Sequence, residues 1–159
     1  MKSLIYIILI FILSAFFSSC EKGRVFDVFT PISSKGWSQD TTLKFEFEIT
    51  EPNDLYNLSI NIRNTDKYKY CNVYIKYNLK DANNQMISTG MPEMFLMDPK
   101  TGKPQGSGIG GLFTHSFVFL KNFKFNSKGK YTLELKQYMR DAVLEEVKDI
   151  GVLVQKTEK

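Results

Sequence analysis

Few side chains in this sequence combine the type and the spacing that chemistry requires. His115 is the only histidine, so neither a histidine pair nor a multi-histidine zinc site can be assembled. Ser116 follows it directly, and adjacent strand residues point to opposite faces, which separates hydroxyl from imidazole. Cys71, between Tyr70 and Asn72, reads as a small half-buried thiol rather than a nucleophile. Glu46 and Glu48 share one face of an alternating segment, and the lysines nearby make that face a solvated charged surface rather than an acid-base pair. Asp54, Asp66, Asp81 and Asp98 fall in turns without the spacing of a calcium loop. Gly106-Ser-Gly-Ile-Gly-Gly111 offers backbone amides, but it lacks the tail of a phosphate loop and the flanking strand and helix of a dinucleotide fingerprint. The expectation is a protein that is not an enzyme and carries no metal and no cofactor.

One residue has a defined chemical fate. Lys2 is followed by an almost unbroken apolar run from Leu4 to Phe17 and then by Ser18-Ser19-Cys20, the order of a short secretory leader. Small residues directly before a cysteine resemble a bacterial lipobox, although Phe17 stands where leucine is most common. In such a motif the Cys20 thiol receives a diacylglycerol, cleavage makes Cys20 the first residue, and an N-acyl chain (commonly palmitate) completes the anchor. Several chains are needed for stable attachment. The alternative is a retained span, for which the uncharged stretch from Ser3 to Ser19 is marginal against roughly 30 Å of hydrocarbon. Acylated Cys20 cannot cross-link, which isolates Cys71.

The expected organisation is a signal peptide over 1–19, an acylated cysteine and tether over 20–23, a single domain over 24–155 and a polar tail over 156–159. The full chain has 159 residues and a formal charge of +4. Removing 19 residues leaves 140 and takes away only the charge of Lys2, a length that suits one domain with an apolar core. So mild a basic excess, interspersed with acids, gives no reason to expect nucleic acid as a partner.

Alternation then predicts the elements that would carry any site. Leu43, Phe45, Phe47 and Ile49 fall on one face, with Lys44, Glu46 and Glu48 on the other. Tyr56, Leu58, Ile60 and Ile62 repeat the pattern, with Asn57, Ser59, Asn61 and Arg63 on the wet side. A further alternation starts near Tyr68 and runs through Leu79, a turn over 81–85 leads to a hairpin return over 86–89, and Met94–Met97 reads as an irregular edge. Residues 98–112 hold two prolines and five glycines and read as one long loop. Segment 115–125 puts Phe117, Phe119, Lys121 and Phe123 on one parity and Val118, Leu120, Asn122 and Lys124 on the other, so uniform alternation would expose what it should not and a bulge or bend near Lys121-Asn122 is expected. Tyr131, Leu133 and Leu135 face inward on another strand, 139–147 is an irregular connection, and Ile150, Val152 and Val154 close the chain. The fold class is all-β, an antiparallel β-sandwich of about eight strands, with a lipid-holding barrel as the alternative.

Candidate partner contacts are Trp37, which could instead pack over an end of the core; Tyr74, on the wet parity of its strand; and Gly106 and Gly108 in the glycine-rich loop.

The order of these features resembles the gliding motility lipoprotein H family of Bacteroidetes. The resemblance rests on the Cys-ended leader, the early RVFDVF segment with Trp37, the segment Asp54-Leu-Tyr-Asn-Leu-Ser-Ile60 and the polar strand through Tyr74 to Tyr77. It continues through the glycine-rich centre, Phe123-Lys-Phe125, Gly129-Lys-Tyr131, Gln137-Tyr-Met-Arg140 and Ile150-Gly-Val152. It implies a non-catalytic, lipid-anchored envelope component that supports gliding motility and/or type IX secretion machinery through protein contacts. Its expected partners are membrane lipid, reached through acylated Cys20, and other gliding or secretion envelope proteins. The expected location is the outer membrane, with the domain facing the periplasm. The alternative function is an envelope lipoprotein that binds a small ligand, glycan or peptide.

Overall fold

A computed structural model describes residues 23–157. The strands are β1 (Arg24–Pro31), β2 (Trp37–Ser38), β3 (Leu43–Ile49), β4 (Leu55–Thr65), β5 (Asn72–Lys80), β6 (Met86–Gly90), β7 (Glu93–Phe95), β8 (Ser107–Ile109), β9 (Leu112–Lys124), β10 (Gly129–Gln137), β11 (Val143–Leu144) and β12 (Val147–Lys156). Eight of them have five residues or more. One sheet runs β1-β12-β4-β9-β8, the other β3-β10-β5-β6 with β7 beside β6 on the same edge of β5, and β11 pairs β2 in a small third sheet. The two large sheets form a sandwich, as the alternation predicts.

The inward rows meet in the middle. Phe45, Phe47 and Ile49 of β3, Leu133 and Leu135 of β10, and Ile75 and Leu79 of β5 are buried against Leu58, Ile60 and Ile62 of β4 and Ile150, Val152 and Val154 of β12. At one end Phe125 is the hub of an aromatic cluster, with ring centroids 4.6 Å from Tyr131, 5.0 Å from Phe123 and 5.3 Å from Tyr56. Such offset and edge-on contacts add to the burial of each ring.

The expected bulge is present. Tyr56 pairs Phe123 and Leu58 pairs Leu120, so Lys121 and Asn122 together oppose Asn57. Asn122 takes a positive φ of 54°, and its amide donates to Asn57 Oδ1 at 2.9 Å. A second shift between Leu58 and Ser59 lets Phe119 turn inward, where its ring lies 4.6 Å from Tyr77.

Four expectations are corrected, the first being Cys71, which is exposed rather than half-buried. Ser59 and Asn61 are buried rather than wet, because β4 is the central strand of its sheet. On their face Ser59 lies between Leu153 and Val118, and Phe29 covers Gly151 beside Asn61. Tyr68 is buried but precedes β5 in a turn, its hydroxyl donating to the Asn72 carbonyl at 3.0 Å. Residues 98–112 are not one irregular loop. Asp98 Oδ1 accepts from the amides of Lys100 and Thr101 and from the Thr101 hydroxyl, Met97 bridges Pro104, and β8 pairs the start of β9.

The connections sort the domain into two ends. The β3–β4 and β9–β10 turns, the start of β1 and the finish of β12 lie at the entry end, where the Lys156 amide donates to the Gly23 carbonyl at 2.8 Å. At the far end lie the start of β5, the finish of β10, the small β2–β11 sheet and the tip of the β8–β9 hairpin. β4, eleven residues long, separates the two by roughly 35 Å at about 3.3 Å per residue.

Candidate functional site

Cys20 lies outside the described residues. The chain enters the domain at Gly23, so whatever holds its N-terminus acts on the entry end.

Trp37 is corrected as a partner contact. Its side chain is 1% exposed and its indole N–H donates to the Thr41 carbonyl at 3.2 Å, so it packs over the far end of the core. A Cβ on Gly106 would come within 2.6 Å of the Thr114 carbonyl oxygen, and one on Gly108 within 2.0 Å of that of Leu112. Both glycines allow the hairpin strands to close, which is a structural requirement whatever the hairpin touches. The tip itself is apolar and outward, with Ile109 94% exposed.

Tyr74 belongs to a larger feature. The alternation of β5 sends Tyr74 outward with Asn72 and Lys76, and that of β10 sends Lys136 and Tyr138 to the same face. The amide of Tyr138 donates to the Tyr74 carbonyl at 2.8 Å, which extends the β5–β10 ladder beyond Gln137. Tyr70, Asn72, Tyr74, Met91, Tyr138, Met139 and Arg140 line a cleft of about 420 Å³ at the far end. A second hollow of about 410 Å³ adjoins it through Tyr138, Met139 and Arg140, with Gln39, Asp40 and Lys136 on its other side.

The walls are held in place. The Tyr74 amide donates to Met139 Sδ at 3.3 Å, and the Met139 amide to Gln137 Oε1 at 2.8 Å. Tyr74 bonds Glu93, which pushes its phenol above the ordinary value, and Asn72 also donates to Glu93. Asp141 is held below the usual carboxylate range by its bonds to Lys69 and Tyr70, the Lys69 contact being 2.5 Å. Both carboxylates beside the cleft are therefore engaged by its own wall.

The cations are not. Lys76 and Lys136 are direct cross-strand partners, and among the described residues neither they nor Arg140 form an ion pair with an acid. Lys80 and Lys44 on the same face differ, since both reach Glu134, at 2.9 and 3.6 Å, and hold its carboxylate low. Tyr138 is 56% exposed and Met91 48%. The arrangement is an aromatic and thioether floor under uncompensated positive charge.

Sequence reasoning singles out Tyr74 but misses Met91, Tyr138, Met139 and Arg140. The available signal is Tyr138 on the outward parity of β10, followed by Met139 and Arg140 where the alternation stops.

His115 does not make a reactive pair with Ser116. It faces inward opposite Ile62 while Ser116 lies opposite Asn61 on the other face. It is buried, its Nε2 has no hydrogen-bond partner, and its ring is parallel to that of Phe117 at 6.0 Å. Burial lowers its pKa. Among the described residues no group of three or more His, Cys, Asp or Glu side chains converges as metal ligands would.

The family described as GldH lipoprotein matches residues 24–154. A gliding motility lipoprotein GldH homolog of Christiangramia forsetii is 31% identical over 149 residues, covering 89% of this chain and 90% of the relative. Gliding motility lipoprotein GldH of Flavobacterium johnsoniae is 25% identical over 148 residues, covering 86% of this chain and 87% of the relative. Among solved structures, infectious bursal disease virus VP2 in its subviral particle is similar at a TM-score of 0.45 and 14% identity. That match covers 87% of this chain and 33% of VP2, a likeness that carries no functional argument.

Proposed function

This chain belongs to the GldH lipoprotein family, and on that premise we propose that it acts in gliding motility as a non-catalytic, lipid-anchored envelope component. The match across almost the whole described domain carries the reading. In the finer version, acylated Cys20 holds the entry end at the outer membrane, the domain faces the periplasm, and contacts with other gliding or type IX secretion proteins occur elsewhere on its surface. The separation of the entry end from the far-end cleft supports a division between a held end and a recognising end.

The test is deletion of the gene in its own host, complemented by the full chain, with surface spreading and secretion of surface proteins as readouts. Loss of either readout, restored by the full chain, is the expected result. Affinity capture from gently solubilised envelopes should then enrich motility or secretion components over a washed control. Normal spreading and secretion in the deletion strain would overturn the proposal. A second reading, an envelope lipoprotein that binds a small ligand, glycan or peptide, is favoured by one observation, the cleft beneath Tyr74 and Tyr138.

A further inference from the structure

We propose that the cleft lined by Tyr70, Tyr74, Tyr138 and Met91 receives an acidic peptide segment of a protein partner. An apolar side chain of that segment lies on the aromatic floor, and its carboxylates meet Arg140, Lys136 and Lys76. The inference deepens the reading that this domain works through protein contacts and rests on it.

Charge decides the class of occupant. Lys76 and Lys136 oppose each other across the ladder, a like-charge arrangement that is unfavourable until an anion approaches. Arg140 continues the positive rim, and it lines both hollows. The acids that could compensate it are committed elsewhere: Glu93 to Asn72 and Tyr74, Asp141 to Lys69 and Tyr70. Asp40 is the one acid lining the second hollow. An incoming carboxylate therefore meets more positive than negative charge, and the guanidinium can hold it in two parallel bonds.

The floor decides between peptide and sugar. Aromatic rings and the thioethers of Met91 and Met139 accept apolar side chains of varied shape. Sugar hydroxyls would need free donors and acceptors beside the rings, whereas Asn72 and the hydroxyls of Tyr70 and Tyr74 are already bonded to Glu93 and Asp141. Position argues against lipid headgroups. The cleft stands at the end opposite the chain's entry, a strand length of roughly 35 Å away, and the potential of a charged bilayer decays over about 8 Å at physiological ionic strength.

The experiment is selection of random twelve-residue displayed peptides against the full chain in detergent. Peptides carrying two or more Asp or Glu around an apolar or aromatic residue should be enriched. Lys136→Glu combined with Arg140→Glu should weaken the selected peptides by about 10-fold or more, as should Tyr138→Ala, and added salt should weaken them further. Circular dichroism must show each variant folded, and Arg140→Gln serves as a milder second variant, expected to lose about 3-fold. Enrichment of peptides without acids, affinity indifferent to these substitutions, or no enrichment at all would overturn the proposal. So would binding of oligogalacturonate or phosphatidylglycerol vesicles through the same residues in place of peptide. If spreading is lost on deletion while no acidic peptide binds, the motility reading stands and the peptide assignment falls. Normal spreading and secretion with tight cleft binding would do the reverse, removing the motility reading and keeping the peptide site.

Discussion

Lys136 stands directly opposite Lys76 in the β5–β10 ladder, with no ion pair from either to an acid among the described residues. One step further along, Tyr138 donates its amide to the Tyr74 carbonyl, which places the like-charged pair beside the aromatic cleft.

The pair gives stability and recognition opposite signs. Lys136→Glu would replace a cross-strand repulsion with an attraction and should raise the unfolding free energy by about 0.2–1 kcal/mol, read as a higher urea midpoint at unchanged slope. The same substitution should weaken acidic peptides. A lowered midpoint would mean that Lys136 has a packing role the register does not reveal.

Gly108→Ala should damage the β8–β9 hairpin. The new Cβ would sit 2.0 Å from the Leu112 carbonyl oxygen, and backbone cannot yield as a side-chain end can. A destabilisation of about 1–3 kcal/mol is expected, seen first as faster amide hydrogen exchange across 107–114.

His115 should make the fold sensitive to mild acid. Burial lowers its folded-state pKa below 6.5, so below about pH 6.5 the unfolded chain takes up a proton that the folded chain resists. Stability should therefore fall as pH drops from about 6.5 through the folded-state pKa, and it should be fully present above about 6.5. His115→Gln should flatten this region in urea titrations at stepped pH. The carboxylates of Glu134, Asp98, Asp141 and Glu146, all held low in the fold, release their stabilisation at lower pH, as each is titrated from the ordinary carboxylate range downward.

Cys20→Ala should move the chain from washed membranes to a soluble or differently retained fraction, provided export is preserved. Mass measurement of the native N-terminal peptide should find Cys20 first and acylated. An unmodified chain starting at Met1 would defeat the anchor.

The inward rows of β3, β4, β10 and β12 are legible because each strand has one dry face, which writes a period of two into the sequence. The bulge at Asn122 is legible for the same reason, as uniform alternation would turn Lys121 to the same face as Phe117, Phe119 and Phe123. Ser59 and Asn61 escape local reading because their shelter comes from Leu153, Val118 and Phe29 on neighbouring strands, which no local pattern records. The hairpin at 107–114 is hidden by glycines that look like loop residues and in fact permit backbone contact. Tyr74 can be placed on the outer face, but the cleft cannot, since it joins three chain segments through the ladder of β5 and β10.

The antiparallel pairing of β1 with β12, from Arg24 opposite Gln155 to Pro31 opposite Asp149, bears on mechanical load. A pull between Arg24 at the entry end and Tyr138 at the far end runs along the strand axes. It would slide β1 past β12 and strain the whole row of interstrand hydrogen bonds at once, whereas a sideways pull would open them one after another. Tension applied along the strand axes is thus shared by many hydrogen bonds in parallel.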